Sequence, residues 1–176
     1  MKTYVAFIRG INVGGHNKLP MADLRQTLTS NHFNNVSTYI QSGNVLFNSS
    51  KDAAILEKEF EQLLLEHFQL DVQVIIRTQK ELKSILKEFP FPPEQITQSY
   101  FVLFKTIPKK EKVDKVKLIE LPFDQFVIKS HTLYLLPEQG YGKSKFNLKR
   151  FEKILEVKST ARNYKTITKL VSLPLK

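Results

Sequence analysis

The residues best suited to chemistry lie in a glycine-rich loop near the N-terminus. An apolar segment, Tyr4 to Ile8, leads into Arg9, and three of the chain's six glycines follow before Lys18. Glycine permits backbone conformations that other residues avoid, and free N–H groups ahead of a helix can hold an anion. The Arg9 guanidinium offers a planar fork of donors that suits phosphate or carboxylate. The alternative is that Arg9 pairs with a structural carboxylate and the glycines serve only the turn.

A second polar turn is expected beside this loop. In a β-α-β crossover the first two strands run parallel, and a hairpin reverses the third. The end of the first strand and the turn at Gln41-Ser42-Gly43-Asn44 therefore lie at the same end of the sheet. The candidate ligand-binding residues of this composite pocket are Arg9, Gly10, Asn12, Gly14, Gly15, Lys18, Gln41, Ser42 and Asn44.

An enzymatic use of this pocket is one alternative. Ser42 as a nucleophile needs a positioned base, and His16 is the nearby candidate. The chain has no G-x-S-x-G elbow, so turn chemistry is the simpler interpretation of Ser42. No catalytic residue is assigned, and whether the protein is an enzyme stays open.

The positive charge is concentrated in the second half of the chain. Residues 1–77 hold seven basic and seven acidic residues, whereas residues 78–176 carry the whole net charge of +10. The candidate surface for a nucleic acid or another anion comprises Lys143, Lys145, Lys149, Arg150, Arg162 and Lys165. Basic groups bind phosphates, and Tyr141 and Tyr164 lie near enough in sequence to stack on bases. The alternative is a well-solvated face.

Two nucleotide-binding motifs are incomplete. Gly142-Lys143-Ser144 lacks the earlier glycine of a P-loop, because Pro137 stands there. The segment from Tyr100 to Lys105 does not match the RNP1 motif of RNA-recognition domains. The four histidines are isolated, cysteine is absent, and no segment approaches the ~20 apolar residues of a membrane span. We therefore expect a cytoplasmic protein without metal, cofactor or membrane attachment.

Hydrophobic periodicity predicts two similar halves. Strands and helices alternate as β-α-β-β-α-β over residues 1–77, the ferredoxin-like α/β plait. A capping box at Thr78 and Glu81 begins a helix, and a proline-rich linker completes a connection over residues 78–98. Residues 99–176 repeat β-α-β-β-α, with helices predicted at Ser144–Leu155 and 163–172. We expect an α/β (α+β) protein whose second plait is incomplete and ends in an extra helix.

Three segments resemble a bacterial family of uncharacterised proteins, domain of unknown function 1697. They are Phe7-Ile8-Arg9-Gly10-Ile11-Asn12-Val13-Gly14-Gly15, Thr38-Tyr39-Ile40-Gln41-Ser42-Gly43-Asn44-Val45-Leu46-Phe47 and Thr160-Ala161-Arg162-Asn163-Tyr164. Ala161 stands where the family often has a second Thr, and Tyr164 where Trp is common. The resemblance implies two plait-like halves and no activity.

Three functions remain open at this point. The first is an anion-binding module that uses the Arg9 to Lys18 loop and the basic C-terminal helices, with nucleic acid or a small phosphorylated or carboxylated molecule as partner. The second is an enzyme acting on a small anionic substrate at Arg9, His16 and Ser42. The third is a protein-interaction or structural role. The sequence leaves open whether the protein is a monomer or a dimer.

Overall fold

The first strand is central to the fold because five consecutive apolar residues bury both of its faces. In the computed structural model, which describes residues 1–174, β1 (Lys2–Ile8) has every residue from Tyr4 to Ile8 buried. It is followed by α1 (Met21–Ser30), β2 (Asn34–Tyr39), β3 (Asn44–Ser49), α2 (Ala53–Phe68) and β4 (Val74–Thr78).

The first four strands form one antiparallel sheet in the order β2-β3-β1-β4. This is the predicted plait, in which the two helices pack on one face of the sheet. Its helix-side core joins Tyr4, Phe33, Phe47 and Phe60, whose rings contact one another. Loops connect the strands and helices at both ends of the sheet. The candidate pocket lies at one of these ends.

The following helix, α3 (Gln79–Lys87), begins at the predicted capping box. Thr78 Oγ1 accepts the main-chain N–H of Glu81 at 3.1 Å, and Glu81 Oε2 accepts the main-chain N–H of Thr78 at 2.7 Å. A 3-10 helix (Pro93–Gln98) then leads into the second series of strands.

The second series repeats the first. It comprises β5 (Tyr100–Phe104), α4 (Lys110–Lys117), β6 (Asp124–Lys129), β7 (Thr132–Pro137), a 3-10 helix (Tyr141–Lys143), α5 (Leu148–Leu155), β8 (Ser159–Asn163) and α6 (Tyr164–Ser172). The sheet order is β6-β7-β5-β8, again antiparallel throughout. The two-plait α/β architecture is therefore confirmed.

The second plait is more complete than the sequence predicted. Ser159–Asn163 forms β8, paired with β5 from Phe104↔Ser159 to Tyr100↔Asn163, and the extra helix α6 follows it. This segment has almost no apolar character, so its periodicity gave no strand signal. It becomes a strand because it pairs with a buried strand and because Glu152 Oε1 accepts the Ser159 N–H at 2.7 Å.

Helix α5 begins later than predicted, at Leu148 instead of Ser144. Asn147 caps it by accepting the Arg150 N–H at 3.0 Å. Ser144 and Lys145 are held outside the helix, because the Asp124 carboxylate accepts the Ser144 hydroxyl at 2.9 Å and the Lys145 N–H at 2.8 Å.

The described chain divides into two compact units, residues 1–83 with the segment from Lys169 onward, and Ser84–Thr168. The sequence-based division at 1–77, 78–98 and 99–176 stays a prediction, and its last two residues, Leu175 and Lys176, lie outside the described part.

Carboxylates accept the hydrogen bonds of the unpaired side of the edge strand β4. Its residues Val74, Ile76 and Thr78 direct their N–H groups away from β1, since Arg9 N–H bonds to Gln73 O and fixes the alternation. Each outward N–H has a glutamate acceptor: Glu61 at 2.8 Å, Glu57 at 2.9 Å and Glu81 at 2.7 Å. An edge with its donors satisfied does not recruit another strand.

Gly43 is the position at which the hairpin turn cannot carry a side chain. Its φ is +74°, and an added Cβ would lie 2.8 Å from Ile11 Cδ1 and 2.9 Å from Ile8 Cβ. Gly15 also has a positive φ, +80°, but open space around it, whereas Gly142 has open space and no such φ. These three positions separate steric overlap from backbone strain.

We expect Gly43→Ala to lower the free energy of unfolding by about 3 kcal/mol, from left-handed strain plus overpacking. Gly15→Ala should cost about 1–2 kcal/mol from strain alone, and Gly142→Ala should change stability by less than about 0.5 kcal/mol. Chemical denaturation measures all three. Equal effects at Gly43 and Gly15 would show that the hairpin turn does not pack on Ile8 and Ile11.

Candidate functional site

The glycine-rich loop and the hairpin turn meet through one side chain. Asn12, at φ +54°, donates from Nδ2 to Leu19 O at 3.0 Å and to Gln41 O at 2.8 Å. Its Oδ1 accepts the Leu19 N–H at 2.8 Å. The Ile8 N–H donates to Gly43 O at 2.8 Å, which fixes the other side of the turn. The loop and the turn are therefore adjacent, as the topology predicted.

Much of the polar capacity of this pocket serves the fold itself. Asn12 uses both donors and one acceptor internally, Asn17 Nδ2 donates to Gly10 O at 3.0 Å, and the buried Asn44 donates to Tyr39 O and to Ser42 Oγ. The groups on the surface of the loop are Gly10, Gly14, Gly15, His16 and Lys18, together with Gln41 in the turn, while Arg9 is half-buried.

Ser42 and His16, the residues of the enzymatic alternative, lie in the turn and in the loop. Ser42 Oγ accepts a hydrogen bond from Asn44 Nδ2 at 2.9 Å, and the exposed His16 ring makes no hydrogen bond to Ser42 in the described residues. The hydroxyl of Ser42 therefore takes part in the hydrogen bonding of the turn.

Two apolar side chains at this end of the sheet were not expected from the sequence. Val13 is 66% exposed and Ile40 is 51% exposed, and Ile40 has a φ of +51°. A β-branched residue in the left-handed region is strained, and such strain often marks functional turns. No sequence periodicity gives this signal, because it depends on the local φ angle.

The basic residues around α5 form an exposed surface. We call Lys143, Lys145, Lys149, Arg150, Lys153 and Lys158 the α5 basic surface. All six side chains are exposed, and none pairs with a carboxylate of residues 1–174. Lys149 and Lys153 are one helical turn apart and thus share a face. The predicted residue Lys165 is also exposed, on α6.

Two carboxylates lie among these cations, and each accepts hydrogen bonds from other groups. Glu152 Oε1 accepts both the main-chain N–H and the hydroxyl of Ser159, at 2.7 and 2.8 Å. Glu156, at the C-terminal end of the helix, is hydrogen-bonded by Lys112 of α4, which lowers the pKa of the Glu156 carboxyl. Both carboxylates are thus occupied by other groups of the same unit.

A shallow cavity of about 340 Å³ lies within the α5 basic surface. Its lining residues are Lys149, Glu152, Lys153, Glu156, Val157 and Lys158. Its three ammonium groups exceed its two carboxylates by one charge, and a positive surface raises the local concentration of anions.

An aromatic pair lies close in sequence to the first of these lysines. The rings of Tyr100 and Tyr141 stack with centroids 4.2 Å apart and planes at 26°. Tyr141 is still 42% exposed, and partial burial beside Tyr100 raises the pKa of its hydroxyl. The Tyr141 phenol is therefore a neutral aromatic surface at physiological pH.

Arg162 differs from the other residues predicted for the basic surface. It lies half-buried in β8 and donates from Nη1 to Thr160 Oγ1 at 2.7 Å and to Ala161 O at 2.9 Å. Burial lowers the pKa of its guanidinium to about 10. Its exposure to a ligand is therefore smaller than that of the α5 lysines.

Arg77 is the counterpart of Arg162 in the first plait. Arg77 in β4 is opposite Val5, as Arg162 in β8 is opposite Phe101, and its Nη1 donates to the preceding carbonyl, Ile76 O, at 2.7 Å. Burial lowers the pKa of Arg77 as well, against the charges of Glu57 and Glu81. The paired positions indicate that these arginines belong to the repeated architecture.

The residue after each arginine caps a helix. Thr78 caps α3, and Asn163 Oδ1 accepts the Thr166 N–H of α6 at 2.9 Å. The segment from Thr160 to Tyr164, one of the three that resemble the family, therefore joins an edge strand to a capped helix.

A larger cavity of about 650 Å³ lies in the first unit, at the N-terminal end of β1. Lys2, Lys80 and Lys83 line it together with Asp52 and Glu81. Lys2 Nζ lies 3.8 Å from Asp52 Oδ1. The Glu81 carboxylate accepts the Thr78 hydroxyl in the capping box of α3. No sequence motif pointed to this cavity, because its lining comes from segments that are far apart in the chain.

Comparisons with known proteins agree with this architecture. The model of a family described as "Protein of unknown function (DUF1697)" matches residues 1–134. The structure is similar to that of the conserved bacterial protein SP0830 from Streptococcus pneumoniae, with a TM-score of 0.72, 24% sequence identity and 97% of each chain covered. No curated protein matches the chain.

Two further properties concern the described residues. Within residues 1–174, no helix has the length and apolar character needed to cross a bilayer. In the same range, His, Asp and Glu side chains do not gather in groups of three that could hold a metal ion.

The family model matches residues 1–134, which is more than half of the sequence. The chain therefore belongs to the DUF1697 family of proteins of unknown function.

Proposed function

We propose that the protein binds the phosphate backbone of a single-stranded nucleic acid through the α5 basic surface. One observation carries this proposal: the six cations of this surface are exposed and, among residues 1–174, pair with no carboxylate, so they outnumber Glu152 and the Lys112-bonded Glu156 beside them. Cations that are already neutralised by neighbours contribute little to polyanion binding. Cations without partners release counterions from the nucleic acid when they bind it.

The aromatic pair favours a single strand over a duplex. Base stacking on exposed tyrosine rings contributes about 1–3 kcal/mol per base and tolerates any sequence. Tyr141 lies two residues before Lys143, so a strand whose phosphates contact the lysines has an aromatic surface nearby. We therefore expect weak sequence preference and strong salt dependence.

The test uses a labelled mixed-sequence single-stranded oligonucleotide, titrated at several salt concentrations. We expect Lys149→Glu combined with Lys153→Glu to weaken binding at least about tenfold. The slope of log K against log salt should fall by about 1.4, which is two phosphate contacts at about 0.7 each.

The matched control is Lys58→Glu combined with Lys80→Glu, which makes the same change of net charge on exposed residues of the first unit. An equal loss of affinity in this control would show that only the overall charge matters. Absence of binding by the wild-type protein at low salt would remove the proposal.

A small anion at the Arg9–Lys18 loop is the second candidate. The observation that favours it is the bond from Asn12 to Gln41 O, which brings the loop and the turn together beside Arg9 and Lys18. An arginine and a lysine on one loop suit a phosphate or a carboxylate.

Inorganic phosphate is the first probe for this loop, and its binding is monitored by the NMR chemical shifts of the protein. We expect shifts at Gly14, Gly15 and Lys18 in the wild type and their loss in Arg9→Ala combined with Lys18→Ala. Lys58→Ala combined with Lys80→Ala is the control with the same charge change. Shifts that persist in the loop variant, or that centre on another region, contradict this assignment.

A further inference from the structure

The four edge strands of the two sheets differ in how far their outward main-chain groups are satisfied. The outward N–H groups of β4 are all accepted by glutamates. In β8, Glu152 accepts one outward N–H and Arg162 donates to the outward Ala161 carbonyl. Strand β2 is broken by a bulge between Asn34 and Ser37, which leaves only a short regular stretch. Bulges and occupied edges are the usual protections against strand pairing.

Among residues 1–174, neither a bulge nor a side-chain acceptor protects strand β6 in this way. It pairs with β7 in unbroken register from Asp124↔Pro137 to Lys129↔Thr132. The Glu138 N–H donates to Phe123 O, so the alternation of an antiparallel pair turns the main-chain groups of Phe126 and Ile128 outward. In the described residues these outward groups have no hydrogen-bond partner. The segment Phe126-Val127-Ile128 is also apolar and half-buried, the composition of a strand that attracts another strand.

The geometry points to a second copy of this chain as the occupant: we propose that β6 pairs antiparallel with β6 of another molecule about a two-fold axis at Val127. In this register Phe126 lies opposite Ile128 of the partner copy, and each of the two symmetric pairs exchanges two N–H···O=C bonds. Both outward residues are then satisfied. Centring the axis on Phe126 instead would use Asp124, whose N–H already donates to Leu121 O.

The charges of the strand are complementary to themselves in this register. Gln125 lies opposite Lys129 of the second copy, and Gln125 Nε2 is hydrogen-bonded to Glu138 Oε1 at 2.8 Å. Both Gln125 and Lys129 are exposed. An antiparallel copy thus places Lys129, whose ammonium donates to Glu88 O of its own chain at 2.7 Å, opposite the Gln125–Glu138 pair at both ends of the contact. A parallel copy would place Lys129 beside Lys129. A symmetric contact of this kind closes as a dimer.

The register predicts that Val127 faces Val127 of the second copy, at the close spacing of a non-hydrogen-bonded pair, about 4.5 Å between Cα atoms. Like charges directly opposite one another destabilise a strand pair, and opposite charges stabilise it. Val127→Glu and Val127→Lys are therefore matched variants: each should repel itself, and the two should attract each other.

Sedimentation velocity on the full chain, up to about 1 mM, is the test, since even weak association is populated at that concentration. We expect the wild type to dimerise with increasing concentration, and each variant alone to associate at least about tenfold more weakly. An equimolar mixture of Val127→Glu and Val127→Lys should recover dimers. Circular dichroism establishes that both variants are folded.

Ile107→Glu is the control, because Ile107 is 64% exposed outside the strands and the change is again apolar to charged. It should dimerise like the wild type. A wild type that stays monomeric at about 1 mM overturns the proposal. Dimerisation of both single variants overturns it as well, since the contact then lies elsewhere, and failure of the mixture to recover dimers excludes the register centred on Val127.

Discussion

Hydrogen bonding of the main chain at the sheet edges is the constraint on which this structure depends. A four-stranded plait has two edge strands, and each leaves a row of N–H and C=O groups without a strand to pair with. In the first unit the carboxylates of Glu57, Glu61 and Glu81 accept the outward N–H groups of β4. Charged acceptors form stronger hydrogen bonds than neutral ones, so this edge is closed without a further strand. The helices that carry these glutamates also supply apolar side chains to the core. The hydrogen bonding of the edge strand therefore depends on the packing of the helices.

The second plait satisfies its edges less completely. Glu152 accepts the Ser159 N–H and keeps its charge, whereas Glu156 is hydrogen-bonded by Lys112. The surface around α5 stays positively charged because its six exposed cations outnumber these two carboxylates. On the opposite edge, β6 has no glutamate acceptor among the described residues and keeps an apolar segment in regular pairing. One half of the repeat is therefore closed at β4, while the other offers both a charged surface and an open edge.

Much of the fold was predictable, because the main signals are local. The apolar run from Tyr4 to Ile8 identifies a buried strand, and the Thr78–Glu81 capping box identifies the start of α3. Strand β8 was missed because Ser159–Asn163 is polar and becomes a strand only through β5 and Glu152. The start of α5 was misplaced because Asp124, twenty positions earlier than Ser144, holds that segment outside the helix. Such decisions depend on contacts between distant segments, which periodicity does not record.

The candidate site divides in the same way. The adjacency of the glycine-rich loop and the hairpin turn follows from the crossover topology, and the Asn12 bond to Gln41 O realises it. The burial of Arg162 was not predictable, since a basic residue near a helix looks like a surface cation in the sequence. That Arg162 and Arg77 occupy equivalent positions in the two plaits was not predictable either. The engagement of Glu152 and Glu156 was equally hidden. Charge composition alone therefore locates the half of the chain that carries the exposed cations and does not distinguish the half-buried Arg162 from them.

Amide hydrogen exchange followed by NMR in dilute solution tests the difference between the two edges most directly. We predict slow exchange for the outward amides of Val74, Ile76 and Thr78, although they lie on an edge strand, because each donates to a carboxylate. The outward amides of Phe126 and Ile128 should exchange fast. Fast exchange along β4, or protection of Phe126 and Ile128 in a dilute monomer, would contradict the assignment of one sealed and one open edge.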